Sequence, residues 1–174
     1  LHGVGLHTGR KCRVRFKPAG ANEGVTFVRI DLPGKPALKA TVDQVVDVVR
    51  GTTLGMGEAR VYTIEHVLSA MNGLEIDNMV IELDDNEPPV MDGSAVDFVA
   101  ALRKAGTEDL GVPRNFFTVD APVEYASNQT VIRIEPADRF ILDCEIEYDH
   151  PHIRSQRIVF DRTVDYEKEI APAR

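Results

Sequence analysis

The chain has 174 residues, 43% of them hydrophobic and 28% charged, and a formal net charge of -8. This composition suits a globular protein of one large or two small domains. The acidic balance argues against broad binding to nucleic acid or to an anionic membrane surface. No apolar run approaches the roughly 20 residues of a membrane span, and no signal-peptide core opens the chain, so a cytoplasmic protein with no stable membrane insertion is expected. Cys12 and Cys144 both sit in alternating strand-like runs and read as buried free thiols of a reducing compartment rather than a disulfide.

Gly3, Gly5 and Gly9 crowd the first nine residues, which predicts a turn or a close backbone approach. Arg10 to Pro18 alternates as a strand, with Cys12, Val14 and Phe16 on one face and Arg13, Arg15 and Lys17 on the other. A second strand is predicted from Gly24 to Leu32, broken by Pro33-Gly34-Lys35-Pro36. Ala37 to Val49 is apolar and β-branched, with helix and strand both open. Gly51 to Gly57 reads as a flexible connection into a short strand at Ala59 to Tyr62.

The stretch Thr63 to Gly73 predicts a helix with both ends marked. Thr63 is the expected N-cap, Glu65 puts a carboxylate in the first turn, and Gly73 is the expected stop. Ile64, Val67, Leu68 and Met71 keep the spacing of one buried stripe. At about 100° per residue, Glu65 and His66 fall outside that stripe and beside each other. Asn78 to Leu83 follows as a strand, Asp84 to Asp92 as an acidic proline-bearing loop, and Ser94 to Asp97 as a capping-box-like start to a second helix ended by Gly106.

From there the pattern changes to long alternating strands: Asn115 to Tyr125, Thr130 to Pro136, Phe140 to Tyr148 and Gln156 to Phe160, with Thr163 to Ala171 a possible helix. The division expected is a first α+β domain over 1–107, a linker over 108–114, and the start of a second domain over 115–174. That second segment lacks the helices needed to cover its sheet.

A catalytic zinc needs about three protein ligands and an open position, with a carboxylate nearby to take a proton from its water. Glu65-His66 supplies one ligand and one base. On spacing alone, a capping carboxylate beside a surface histidine is the commoner reading of such a pair, since no His-Glu-x-x-His helix is present. His150-Pro151-His152 is better read as a turn. The Arg13, Arg15, Lys17 face, with Arg10 and Lys11, offers either a patch for an anionic ligand or a solvated outer sheet face. An alternative for the whole chain is therefore a non-catalytic ligand-binding or interaction module of α+β fold.

Taken together, Gly3-Val4-Gly5-Leu6-His7-Thr8-Gly9, Thr63-Ile64-Glu65-His66, Leu74-Glu75-Ile76-Asp77-Asn78 and Glu87-Pro88-Pro89-Val90-Met91-Asp92-Gly93-Ser94 closely resemble the UDP-3-O-acyl-N-acetylglucosamine deacetylase family. The resemblance covers the chain and is looser after Ser94. It implies two similar domains, each a sheet with two helices, packed face to face around an active site. It also implies a zinc-dependent hydrolase of lipid A biosynthesis in Gram-negative bacteria, removing the N-acetyl group from a UDP-linked acylated amino sugar as acetate. Carried onto this chain, it makes His66 a zinc ligand and Glu65 the carboxylate acting on the attacking water. Thr52 and Leu54 then line the substrate path. From the residues themselves, His7-Thr8-Gly9 offers either a substrate contact or a turn satisfied by its own backbone. The family's further zinc ligands, general acid, lysine and oxyanion threonine come from its second domain, the threonine soon after an Ala-Arg pair like Ala173-Arg174. The expectation is an N-terminal portion that needs the remainder of the second domain to complete its site, binds Zn2+ weakly and is inactive alone.

Overall fold

A computed structural model describes residues 1–174. It is an α+β structure that divides into two units, Leu1–Val112 with Tyr166–Arg174, and Pro113–Asp165. The first unit carries a five-stranded sheet in the order β1-β2-β8-β3-β4. Its strands are β1 (His2–Val4), β2 (Lys11–Pro18), β3 (Val25–Arg29), β4 (Ala37–Lys39) and, later in the chain, β8 (Met79–Leu83). All neighbours are antiparallel except β3 and β8, which run parallel. A smaller antiparallel sheet is formed by β5 (Val45–Asp47), β6 (Thr53–Met56) and β7 (Ala59–Val61).

The period-2 alternation in β2 and β8 does what it predicts. Cys12 and Val14 of β2 are buried, as are Met79, Ile81 and Leu83 of β8, while Arg13, Arg15 and Lys17 face solvent. Helices α1 (Glu65–Gly73) and α2 (Val96–Ala105) pack on each other and add Val67, Ala70 and Met71, and Phe98, Val99 and Leu102, to the buried set. Phe98 meets Phe16 of β2 edge to face at 6.5 Å. Each such fully buried side chain contributes about 1.5–3 kcal/mol of apolar burial, so α1 is held by its tertiary face more than by local propensity. Gly106 ends α2 at φ 80°, the left-handed stop its residue type predicts.

Several local expectations are corrected. Gly51 to Gly57 is not a flexible connection, because Thr53–Met56 forms the centre of the small sheet. Gly55 is there for close packing, since a Cβ would lie 2.8 Å from both methyls of Val46. The ambiguous Ala37 to Val49 resolves into β4, a 3-10 turn at Val42–Gln44, and β5. Thr63 does not cap α1: Ile64 holds that position without a side-chain cap, and the Thr63 hydroxyl points elsewhere. Gly73 lies inside α1 rather than beyond it. Ser94 makes no capping box; Ala95 precedes α2, while Ser94 Oγ donates to Asp92 and accepts the Val96 amide at 3.2 Å.

The second unit consists of two antiparallel hairpins. One pairs β9 (Val123–Ser127) with β10 (Thr130–Ile134); the other pairs β11 (Ile141–Ile146) with β12 (Gln156–Asp161). The predicted strand from Asn115 shrinks to β9, leaving 115–122 without regular structure. Cys144 in β11 is exposed, not buried. The expected C-terminal helix is one π-helical turn, Tyr166–Ile170, and Tyr166–Arg174 belongs with the first unit. Tyr166 is buried there, its hydroxyl 2.7 Å from Ser69 Oγ of α1, and Arg174 donates to the Asp92 carbonyl at 3.0 Å.

Candidate functional site

The start of α1 is built by a sharp reversal. After β7, the Tyr62 amide donates to the Asn86 carbonyl at 2.8 Å, and Thr63 takes φ 53°. That is a rare conformation for a β-branched residue, costing on the order of 1–3 kcal/mol unless its surroundings enforce it. Here the Thr63 hydroxyl donates to Glu87 Oε1 at 2.9 Å, and the neighbouring Ile64 side chain is wholly buried. The reversal launches α1 with Glu65 and His66 in its first turn, both only partly buried.

Glu65 has a fixed partner. Its Oε2 accepts the Thr52 amide at 2.9 Å, and the same strip of backbone is held by an Ile64 amide to Thr52 carbonyl bond at 3.4 Å. His66 lines a recess with Leu6, Thr63, Pro88, Pro89, Val90 and Phe98. Its imidazole enters no hydrogen bond or ion pair within residues 1–174. His66 therefore faces a recess and not the packed interior of its own unit, while Glu65 beside it is partly exposed and held by Thr52.

Across the recess, the glycine-rich turn closes through Gly5 amide to Arg10 carbonyl (2.9 Å) and Gly9 amide to Gly5 carbonyl (3.1 Å). It wraps a single buried carboxylate. Glu87, 1% exposed, accepts the His7 amide at 3.0 and 3.1 Å, the Thr8 amide at 2.8 Å, the Thr8 hydroxyl at 2.7 Å and the Thr63 hydroxyl. Burial alone raises the Glu87 carboxyl pKa, but the amides and hydroxyls of His7, Thr8 and Thr63 outweigh it and hold it below the usual value. Gly5 is what lets the turn come this close, since a Cβ there would overlap Glu87 Oε2 and lie 2.5 Å from Thr8 Oγ1. The His7 ring is exposed, and its Nε2–H donates to the Arg50 carbonyl at 3.2 Å.

The structure thus brings Glu65, His66, Thr52 and His7 around one region of the first unit. Leu54 is adjacent in sequence but 0% exposed, so its side chain belongs to the packing of β6. His150 and His152 lie in a turn of the second unit with ring centroids 5.8 Å apart. Nowhere in the chain do three or more His, Cys, Asp or Glu side chains form a possible metal cluster. Set against the roughly three ligands of a catalytic zinc, these residues fit one ligand, His66, and one neighbouring base. The basic strand face is partly paired: Arg10 pairs with Asp85 at 2.8 Å, and Lys17 and Arg15 with Glu82 at 2.9 and 3.7 Å. Glu87 was missed as a site residue. Its sequence signals are its place at the head of the Glu87-to-Ser94 motif, before two prolines, and a turn too rich in glycine to be merely a bend.

The model of the family described as LpxC, UDP-3-O-acyl N-acetylglycosamine deacetylase, matches residues 1–174. The chain belongs to that family. It is 42% identical, over all of its length, to a bifunctional enzyme LpxC/FabZ of Chlorobaculum tepidum, of which it covers 38%. It is 41% identical over 99% of its length to a UDP-3-O-acyl-N-acetylglucosamine deacetylase of Anaeromyxobacter sp., and 38% identical over 99% to one of Acidithiobacillus ferrooxidans, covering 56% and 58% of those proteins. This LpxC-family chain therefore spans about half the length of the curated relatives it matches.

Proposed function

We infer that this chain forms the N-terminal part of a cytoplasmic UDP-3-O-acyl-N-acetylglucosamine deacetylase that hydrolyses the sugar's N-acetyl amide and releases acetate in lipid A biosynthesis. The observation that carries this reading is His66 on the wall of a recess, with Glu65 beside it in the first turn of α1, within a chain of the LpxC family. His66 offers one zinc ligand through a ring nitrogen not engaged elsewhere in the chain. Residues 1–174 gather no three-ligand cluster, so the other ligands and the general acid are supplied by the remainder of the full-length protein. Zinc, when bound, supplies Lewis-acid polarisation and an acidified water.

The remaining steps belong to this chain's own residues. Glu65 is the proton acceptor for the attacking water, and the Thr52 amide on one carboxylate oxygen fixes its orientation while the other oxygen stays available. His7, exposed at the edge of the glycine-rich turn, contacts the UDP-sugar. Thr52 acts through Glu65, and Leu54 supports the path from behind. The alternative, a non-catalytic module, would use a basic face in which Arg10, Arg15 and Lys17 are already paired with Asp85 and Glu82.

The test is Glu65→Ala and His66→Ala in the full-length protein. Both are expected to lower acetate release by about 10²–10⁴-fold, and His66→Ala alone to lower the bound zinc stoichiometry. Residues 1–174 alone are expected to bind zinc weakly and to show no turnover. Ordinary turnover in either variant would defeat the assignment.

A further inference from the structure

The geometry points to Glu87 as the positioning residue of the site: its buried carboxylate fixes both the backbone reversal that aims Glu65 and His66 and the loop that holds the Glu65 side chain. This inference rests on the amidase reading above and extends it to a residue that touches neither substrate nor reacting atoms.

Two routes lead from Glu87 to Glu65. The first is short. Glu87 Oε1 accepts the Thr63 hydroxyl at 2.9 Å, and Thr63 holds a left-handed φ of 53° two residues before Glu65. A β-branched residue leaves that conformation readily unless something ties it down. The second route runs through the turn. Glu87 accepts the His7 and Thr8 amides and the Thr8 hydroxyl, and the His7 ring donates to the Arg50 carbonyl. Arg50, also at positive φ (59°), leads through Gly51 to Thr52, whose amide is the donor to Glu65 Oε2. A Cβ at Gly51 would lie 3.2 Å from Glu65 Oε1, so this strand of backbone passes close against the carboxylate. One anion with donors from three residues in two separate segments therefore sets both the backbone and the side-chain environment of the proposed base.

A residue that only stabilised the fold would lower the amount of folded enzyme and leave each folded molecule as fast as before. A positioning residue lowers kcat in molecules that are still folded and still bind substrate. The experiment uses the full-length protein, with Glu87→Gln, Thr63→Val and the double variant, measured for kcat, KM, thermal midpoint and backbone hydrogen exchange. Gln keeps the shape of Glu87 but removes the charge and turns one acceptor into a donor facing donors. Glu87→Gln is expected to lower kcat by roughly 10–100-fold with KM changed by less than about threefold, and to speed exchange in 5–10 and 63–66. Thr63→Val is expected to lower kcat less, and the double variant to be no worse than Glu87→Gln alone, because both singles perturb the same carboxylate–hydroxyl contact.

Wild-type kcat in Glu87→Gln, or losses that multiply in the double variant, would overturn the inference. Should Glu87→Gln fail to fold, Thr63→Val decides: a lowered kcat at an unchanged melting temperature supports it, and an unchanged kcat overturns it. The two readings fail separately. Turnover surviving in Glu65→Ala removes the amidase assignment itself, whereas turnover lost in Glu65→Ala but kept in Glu87→Gln removes only the positioning role.

Discussion

Gly73 closes α1 without a left-handed φ, in a place where alanine ordinarily gains about 1 kcal/mol over glycine. The surroundings reverse that sign. A Cβ on Gly73 would overlap Cδ1 and Cε1 of the Tyr166 ring and lie 2.5 Å from its Cγ, where ordinary contact begins at 3.4 Å. The ring would have to retreat by about 1 Å, and it is not free to do so. Tyr166 is 8% exposed, and its hydroxyl is anchored at 2.7 Å to Ser69 Oγ one helical turn back. Overpacking of this kind costs about 1–3 kcal/mol, which leaves Gly73→Ala destabilising by up to about 2 kcal/mol after the helical gain. In a protein of this size or larger, that lowers the melting midpoint by up to roughly 8 °C. The control is the same substitution in a Tyr166→Ala background, where the ring is gone and Gly73→Ala should become stabilising. A rise in midpoint in the wild-type background, or an equal fall in both backgrounds, would refute the argument.

Two further outcomes follow from burial and charge. Burial pushes the Cys12 thiol up to about 11, the Asp84 and Asp85 charges adding to it, and the side chain is 3% exposed, so native protein at pH 8 should be alkylated at the exposed Cys144 and spared at Cys12, as read by peptide mass mapping. Alkylation of Cys12 at a comparable rate would mean that β2 opens. Glu87 has a folded-state pKa below its ordinary 4.5, so its charge stabilises the fold fully above that pH and progressively less as pH falls through the lower folded value. The stability gap between wild type and Glu87→Gln, taken from urea unfolding, should therefore be widest near neutrality and narrow in acid; a gap that stays constant down to about pH 3 would show that the carboxylate charge is not the cause.

What could be read in the sequence was periodic. Cys12, Val14 and Phe16 against Arg13, Arg15 and Lys17 marked β2, and Ile64, Val67 and Met71 marked the inner face of α1, because alternation and helical spacing record which side meets the core. What stayed hidden was carried by backbone conformation or by partners far away in the chain. Thr63 looks like an N-cap by residue type, and only its positive φ shows that it turns the chain and bonds to Glu87 instead. Glu87 meets His7 across 80 residues of sequence, a separation no local pattern encodes. Gly55 looked like slack in a connection because glycine signals freedom and close packing with the same letter.

The two units also show why alternation is not burial. In β9 and β10, cross-strand pairing puts Val123, Tyr125, Ile132 and Ile134 on one face, and in β11 and β12 it puts Leu142, Cys144, Ile146, Ile158 and Phe160 on one face. A slip of one residue would exchange the first set for Glu124, Ala126, Val131 and Arg133, so register here separates an apolar side from a polar one. Yet Val123, Tyr125, Ile132 and Ile134 are 51–63% exposed, and no residue of β9, β10 or β11 is buried. A two-stranded hairpin is at best marginal in water, and the pair of bonds from Arg157 to Asp143, at 2.8 and 2.5 Å, lies at an exposed position where ion pairs contribute little. The well-buried core therefore lies in the first unit, under β2, β8, α1 and α2. Glu87, Thr63 and Glu65 are anchored to that core, which is what allows a partly buried Glu65-His66 pair to hold a defined orientation, with His66 on the wall of a recess.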